Sequence, residues 1–166
     1  RAAGQAGLIV TGGFSPNAAG NLSPLDATLD GKGDGHRLIT DAVHQADGKI
    51  LLQVLHGGRY ARRPDAVAPS AIASRINPIT PRPLEGDEIL QTIEDFAICA
   101  QHARDAGYDG VEIMGSEGYL ITEFLSLRTN HRDDEWGGGF DNRMRFAMEV
   151  LRRVRAPRLF LRHPPT

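Results

Sequence analysis

Cysteine is nearly absent from this 166-residue chain, Cys99 being the only one. A disulfide within the chain is therefore impossible, and one thiol cannot assemble a cysteine-ligated zinc or iron–sulfur site. Cys99 falls in a helical apolar pattern and reads as a small buried hydrophobe. Charge of one sign is also lacking: the formal net charge is −2, which leaves no basic field to hold a nucleic-acid backbone, so nucleic acid is not an expected partner. No apolar run approaches the roughly 18 residues of a membrane span, and Arg1-Ala-Ala-Gly has no apolar signal core, so no membrane partner is expected and the cytoplasm is the default location. An initiating Met is missing as well, and an apolar run, "AGLIVTGG", follows almost at once. The chain is expected to be part of something longer.

What is present is ordinary globular material, with a hydrophobic share of 40% and a charged share of 24%. A chain of about 150 residues buries roughly 70% of its unfolded surface, so a real core is possible. Strand and helix patterns alternate. Gly7 to Thr11 is a continuous apolar strand bounded by Gly12-Gly13. Residues 34 to 47 show helical spacing, with Leu38, Ile39, Ala42, Val43 and Ala46 on the expected inner face. A second strand runs from Lys49 to Leu55, and an irregular, Pro- and Arg-rich piece follows from 56 to 84, a length that suits an active-site loop. The helix over 85 to 106 presents Ile89, Ile93, Phe96, Ala97, Ala100 and Ala103 on one face, with acids in its first turn and Gly107 at its end. A third strand spans 110 to 114, and "YLITEFLSL" contains a short helix. Asp141 is placed to cap a helix reaching about Arg155, with Met144, Ala147, Met148 and Leu151 inward, and 158 to 162 reads as a fourth strand.

Repeated strand–helix units imply a parallel sheet, either doubly wound or part of a (β/α)8 barrel. The doubly wound dinucleotide fold wants G-x-G-x-x-G between its first strand and helix, and "TGGFSPNAAG" breaks that spacing. A barrel collects its chemistry on the loops at the C-terminal ends of its strands. Those ends carry Thr11-Gly12-Gly13, Gln53 to Arg59, Met114 to Tyr119, and Arg162-His163.

The stretches "LQVLHGGRY", "APSAI" and "GYDGVEIMGSEGYLITEFLSLRTNHRDDEWGGGFDNRMRF" resemble the old yellow enzyme family of flavin-dependent reductases, and within it the barrel domain of bacterial 2,4-dienoyl-CoA reductase. The resemblance runs from about Gly7 to Arg162. It implies FMN at the C-terminal mouth of a barrel, hydride drawn from NAD(P)H, and reduction of an activated carbon–carbon double bond in an enoyl or dienoyl thioester. Gln53 matches the glutamine that bonds the flavin pyrimidine edge, an amide offering donor and acceptor together. Arg162 matches the arginine that stabilises the anionic reduced ring. Gly12, with Thr11 beside it, matches the position lying against the flavin. Tyr119 matches the tyrosine that donates a proton to the carbon opposite the one receiving hydride, and a phenol with pKa near 10 is still protonated at neutral pH. Without the resemblance, Gln53 reads as an end-of-strand amide, Arg162 as a solvated cation, Gly12 as a turn glycine and Tyr119 as an amphipathic tyrosine.

Met114 and Glu117 stand where many members carry histidine, or histidine and asparagine, to hold a substrate oxygen. Methionine cannot donate a hydrogen bond, so simple enone clamping is not expected, whereas the dienoyl-CoA branch carries the same "MGSEGY". Glu117 either orients a neighbour or faces solvent. His56 and Arg59 lie beside the expected flavin site or fix the long loop. His131, Arg132 and the acids after them lack a recognised ligand spacing, and a salt-bridged loop is expected there rather than a metal. By the resemblance, residues 1 to 166 are a partial FMN-binding barrel domain covering about strands two to five and incomplete at both ends, since a whole barrel needs about 250 residues. The FAD and iron–sulfur cluster of full-length dienoyl-CoA reductases are not expected in this chain. Open barrel edges make self-association an expectation. A non-catalytic, truncated half-barrel is the alternative to an enzyme.

Overall fold

The computed structural model describes residues 1–23, 28–29 and 34–156. In chain order the main elements are β1 (Leu8–Phe14), α1 (Asp34–His44), β2 (Lys49–Val54), β3 (Val67–Ala68), β4 (Arg82–Pro83), α2 (Gly86–Asp105), β5 (Gly110–Ile113), α3 (Leu120–Leu125) and α4 (Phe140–Val154). Strands β1, β2 and β5 form one parallel sheet in that order. β2 and β5 are each reached through a helix and laid beside the preceding strand of the sheet, without the reversal of order that marks a doubly wound sheet. The described residues thus form part of a (β/α)8 barrel. The fourth expected strand, 158 to 162, and Arg162 with it, lie outside the described residues.

Strand parity separates the two faces of the sheet. Ile50, Leu52 and Val54 on β2 are at most 2% exposed and pack in the core with Ile89, Ile93 and Phe96 of α2. Leu51 and Gln53 alternate with them and face the opposite, inner side. Register places Val10 beside Leu51 and Glu112 beside Gln53. Leu8 and Val10 on this inner side are exposed at 57% and 40%. β1 extends beyond Thr11 to Phe14, with its register shifted between Val10 and Gly13. The glycine pair thus sits inside the strand as an irregularity, as glycine permits.

The inward face of α2 is the one expected, and its start is a reciprocal capping box: Glu85 accepts from the N3 backbone N–H, while the Glu88 carboxylate accepts the Glu85 N–H at 2.8 Å. The flanking helices differ from expectation. On α1, Leu38 and Ile39 are exposed at 75% and 51%, while Thr40 and Val43 are buried. The Thr40 hydroxyl donates to the Ala106 carbonyl at 2.9 Å, and His36 Nδ1 shares a hydrogen bond with the Tyr108 hydroxyl at 2.8 Å. These bonds turn that side of α1 toward the α2–β5 junction. On α4, Phe146, Val150 and Val154 are buried, whereas Met148 and Leu151 are exposed. Phe146 stacks on Phe124 of α3 at 4.3 Å and meets Phe96 of α2 edge-on at 6.4 Å, which sets the rotation of α4. Gly139 occupies the N-cap of α4, and Asp141 lies in its first turn, where the helix dipole favours a carboxylate. No helix among the described residues is long and apolar enough to cross a membrane.

Asp109 ties the N-terminal ends of β2 and β5 together. It accepts the Ile50 N–H at 2.9 Å and bonds His44 at 2.9 Å and Lys49 at 3.0 Å. Partial burial opposes its ionisation, but these three donors outweigh it and hold the carboxyl at about 2. Because the folded pKa lies below the unfolded 3.8, the stabilisation is present above 3.8 and lost as pH falls through about 2. Asp109→Asn is expected to lower the thermal midpoint at neutral pH and to flatten its fall on acidification between those two values. Thermal melts across that range check it.

Candidate functional site

The loops leaving the three parallel strands converge. Gly57 N–H donates to the Gly20 carbonyl at 2.7 Å and Arg62 N–H to the Leu22 carbonyl at 3.3 Å, joining the loops after β1 and β2. Leu120 N–H donates to the His56 carbonyl at 3.1 Å, joining the loops after β2 and β5. Between them opens a cleft of about 450 Å³, lined by Leu22 and Ser23 from the first loop, Tyr60, Arg62, Ile76 and Asn77 from the second, and Glu117 and Tyr119 from the third. Its walls come from the C-terminal ends of successive parallel strands, where barrels place their chemistry. A groove of about 580 Å³ between α2 and α4 is larger, but it is cut into the outer helix layer and flanked by the Arg153–Glu94 ion pair.

The long 56–84 piece is an organised wall of this cleft. Asn77 Nδ2 donates to the carbonyls of Arg59 and Ala61 at 3.0 and 2.9 Å, closing the loop on itself. β3 and β4 pair in parallel, and the Arg132 guanidinium bonds the carbonyls of Pro69 and Leu84 and the Asp134 carboxylate. Arg132 therefore anchors the loop, in keeping with the salt-bridged reading of residues 131 to 134.

Tyr119 is the N-cap residue of α3 and is half-buried. Glu117 and Gly118 before it both have positive φ, 61° and 85°, and this tight turn swings the tyrosine into the cleft. Its ring meets Tyr60 edge-on at 5.8 Å, and a Cβ on Gly118 would come within 3.1 Å of the Tyr60 ring. Burial, then the Glu117 carboxylate, then Tyr60 push the Tyr119 phenol above its ordinary value, so it stays protonated at neutral pH.

Gln53 lies on the inner side of the sheet, half-buried. Its backbone N–H donates to Thr11 Oγ1 at 3.1 Å, and its Nε2 reaches Glu112 Oε2 at 3.4 Å. A Cβ on Gly13 would sit 3.3 Å from Gln53 Oε1, so the amide lies across the sheet with its acceptor over β1 and its donor toward β5. Above Gly12 the space is open, with no heavy atom within 4 Å of where a Cβ would stand. An amide presenting donor and acceptor beside an unobstructed glycine fits the flat, alternating carbonyl and N–H edge of a flavin. The structure brings Thr11, Gly12, Gly13 and Gln53 together and places Tyr119 in the cleft at the same strand ends. Gln53 and Gly12 do not line that cleft.

Reasoning from sequence missed Tyr60, Glu112 and above all Glu123. Glu123 is 1% exposed on α3, one turn after Tyr119. Its Oε1 accepts the Arg59 N–H at 2.9 Å, and a side chain on Gly58 would run into its carboxyl group. Burial pushes this carboxyl up to about 8, against the opposing Arg59 N–H and charge. The available signal was an acid inside the apolar run "YLITEFL". His56 is buried too, and burial lowers its pKa to about 3. Gly58 N–H donates to its Nδ1 at 3.1 Å, which makes the ring a neutral brace of the turn.

The family model described as the NADH:flavin oxidoreductase / NADH oxidase family matches residues 1–158. The chain belongs to this family. It is 38% identical over 158 residues to the NADPH dehydrogenase of Bacillus subtilis, covering 93% of this chain and 47% of that protein. Among solved structures, the old yellow enzyme homologue from Zymomonas mobilis superposes with a TM-score of 0.81 at 34% identity, over 92% of this chain and 48% of that one. A 2-naphthoyl-CoA reductase in complex with 2-naphthoyl-CoA superposes with a TM-score of 0.86 at 29% identity, over 93% of this chain and 26% of that one. The chain spans between about a quarter and about half of the length of the curated relatives it matches. Membership in the flavin oxidoreductase family thus joins the barrel topology to the expected resemblance.

Proposed function

We propose that this chain supplies one side of the cofactor and substrate site of an FMN-dependent oxidoreductase that uses NAD(P)H and reduces an activated carbon–carbon double bond, with dienoyl thioesters of coenzyme A as the substrate class. The observation that carries the reading is Tyr119, a protonated phenol lining a cleft built from three successive strand-end loops. FMN, when bound, supplies the hydride. Gln53 holds the ring edge through its amide, Gly12 leaves room for the ring face, and Thr11 fixes the Gln53 backbone. Arg162, outside the described residues, belongs to the same proposal as the cation beside the reduced ring. Tyr119 donates its proton to the substrate carbon opposite the one that receives hydride. Met114 and the "MGSEGY" wording support the thioester over a simple enone, and the likeness to a reductase bound to an aromatic CoA thioester points the same way.

A second reading, a half-barrel without activity of its own, is favoured by one feature: the exposed inner-face residues Leu8 and Val10. FMN titration separates the two. Saturable quenching of flavin fluorescence, with one FMN co-eluting per chain or per defined oligomer on gel filtration, is the expected result, and Gln53→Ala should weaken binding about tenfold through loss of its hydrogen bonds. Folded protein that leaves FMN fluorescence unchanged would favour the inactive reading.

A further inference from the structure

We propose that Glu123 is a positioning residue for Tyr119: its buried carboxyl group locks α3 to the turn after β2 and, through Arg59, sets the Tyr60–Tyr119 ring pair, so that a charge arriving on the carboxyl is felt by both rings. The proposal takes its catalytic meaning from the reading of Tyr119 as proton donor, but its test needs neither flavin nor turnover.

The geometry is a short circuit. Glu123 N–H donates to the Tyr119 carbonyl at 2.9 Å, so the carboxyl stands one helical turn behind the tyrosine. Oε1 crosses to the Arg59 N–H at 2.9 Å, and Leu120 N–H crosses to the His56 carbonyl at 3.1 Å. Two bonds therefore hold the start of α3 to the 56–60 turn. That turn leads directly into Tyr60, whose ring packs against Tyr119 and over Gly118. Gly58, at φ 57°, admits the carboxyl where any side chain would collide with it. A change at the Glu123 carboxyl is passed to the Tyr60 ring through one residue, Arg59.

Ionisation would bring a full charge into this enclosure. Among the described residues neither Glu123 Oε2 nor Arg59 Nε has a hydrogen-bond partner, and the Arg59 guanidinium lies over the Tyr60 ring, 5.4 Å from its centre. The groups facing it are few. Arg59 acts through its N–H and its charge, and burial keeps His56 neutral. On α4 the charged neighbour of α3 is Arg143, which is bound to the Leu125 carbonyl. Burial holds the carboxyl near 8, well above the ordinary 4.5, so the protonated form prevails at neutral pH and a modest rise ionises it.

The test is an NMR titration of ring-labelled tyrosine in the full 166-residue chain, whose three tyrosines are Tyr60, Tyr108 and Tyr119. Burial holds the Tyr108 and Tyr119 phenols above their ordinary value, so both stay protonated from pH about 7 to about 9. The Tyr60 and Tyr119 ring signals are expected to shift together with a midpoint near 8, while Tyr108, bonded to His36 at the α2–β5 junction, shows no inflection there. Glu123→Gln, which keeps the acceptor to Arg59 and cannot ionise, should abolish the inflection and hold the signals at their low-pH positions. Flat Tyr60 and Tyr119 signals through this range in the wild-type chain, or the same inflection in the Gln variant, would overturn the proposal. The wild-type titration alone decides the matter if the variant does not fold.

Discussion

Replacing Tyr119 by phenylalanine, in a complete barrel of this family that carries the present segment, is expected to slow substrate reduction by about 10² to 10⁴-fold while leaving flavin reduction by nicotinamide unchanged. Phenylalanine keeps the ring that meets Tyr60 edge-on and leaves the N-cap geometry of α3 undisturbed, so the substitution removes the hydroxyl and little else. The proton it supplies matters only after hydride has reached the substrate, which is why the two half-reactions should separate. The raised phenol pKa adds a pH signature. As long as the hydroxyl remains protonated, the wild-type proton-transfer step should not fall with pH on account of Tyr119 itself, and any decline nearer 8 belongs to another group, Glu123 being the candidate. Stopped-flow measurement of each half-reaction checks the prediction. Equal loss in both would mean that the phenol serves cofactor binding rather than proton donation.

The inward face of α2 is legible in sequence because Ile89, Ile93, Phe96, Ala97, Ala100 and Ala103 make one long row at the 3.6-residue period, all buried, while only Leu90 and Ile98 stand off it, exposed at 59% and 42%. α1 and α4 carry apolar residues on more than one row, and periodicity cannot rank the rows. The choice is made by a hydroxyl on Thr40 reaching Ala106 in one helix and by an aromatic stack through Phe146 in the other. Neither is visible without the partner. The same division runs through the site. Thr11, Gly12, Gln53 and Tyr119 are read through the family resemblance, and without it only their place near the ends of apolar strands, where parallel sheets expose chemistry, draws attention to them. Tyr60 and Glu123 depend on a left-handed Gly58 and on two loops meeting 64 residues apart in sequence, at the Arg59–Glu123 bond, and neither follows from local pattern. Arg162, legible through resemblance, lies outside the described residues.

Phe146→Ala should be the most damaging single change to the fold, costing about 3 to 5 kcal/mol of stability and lowering the thermal midpoint by roughly 10 °C. Phe146 is fully buried at the point where three helices meet, stacked on Phe124 at 4.3 Å and edge-on to Phe96 at 6.4 Å. Alanine would leave a cavity that rigid helix backbones cannot close. The consequence reaches the cleft, because α3 is only six residues long and too short to persist without tertiary support. Its holds on the rest of the protein include the Phe124–Phe146 stack and the Arg143–Leu125 bond on one side and the Leu120 and Glu123 bonds to the 56–60 turn on the other. Loss of the stack removes the apolar part of that hold and weakens the support behind Tyr119. Phe146→Leu, which refills most of the volume, should recover most of the midpoint, and hydrogen exchange should show α3 opening before α2 in the alanine variant. Uniform loss of protection across α2, α3 and α4 would mean instead that the three helices unfold as one unit and that α3 has no separate weakness.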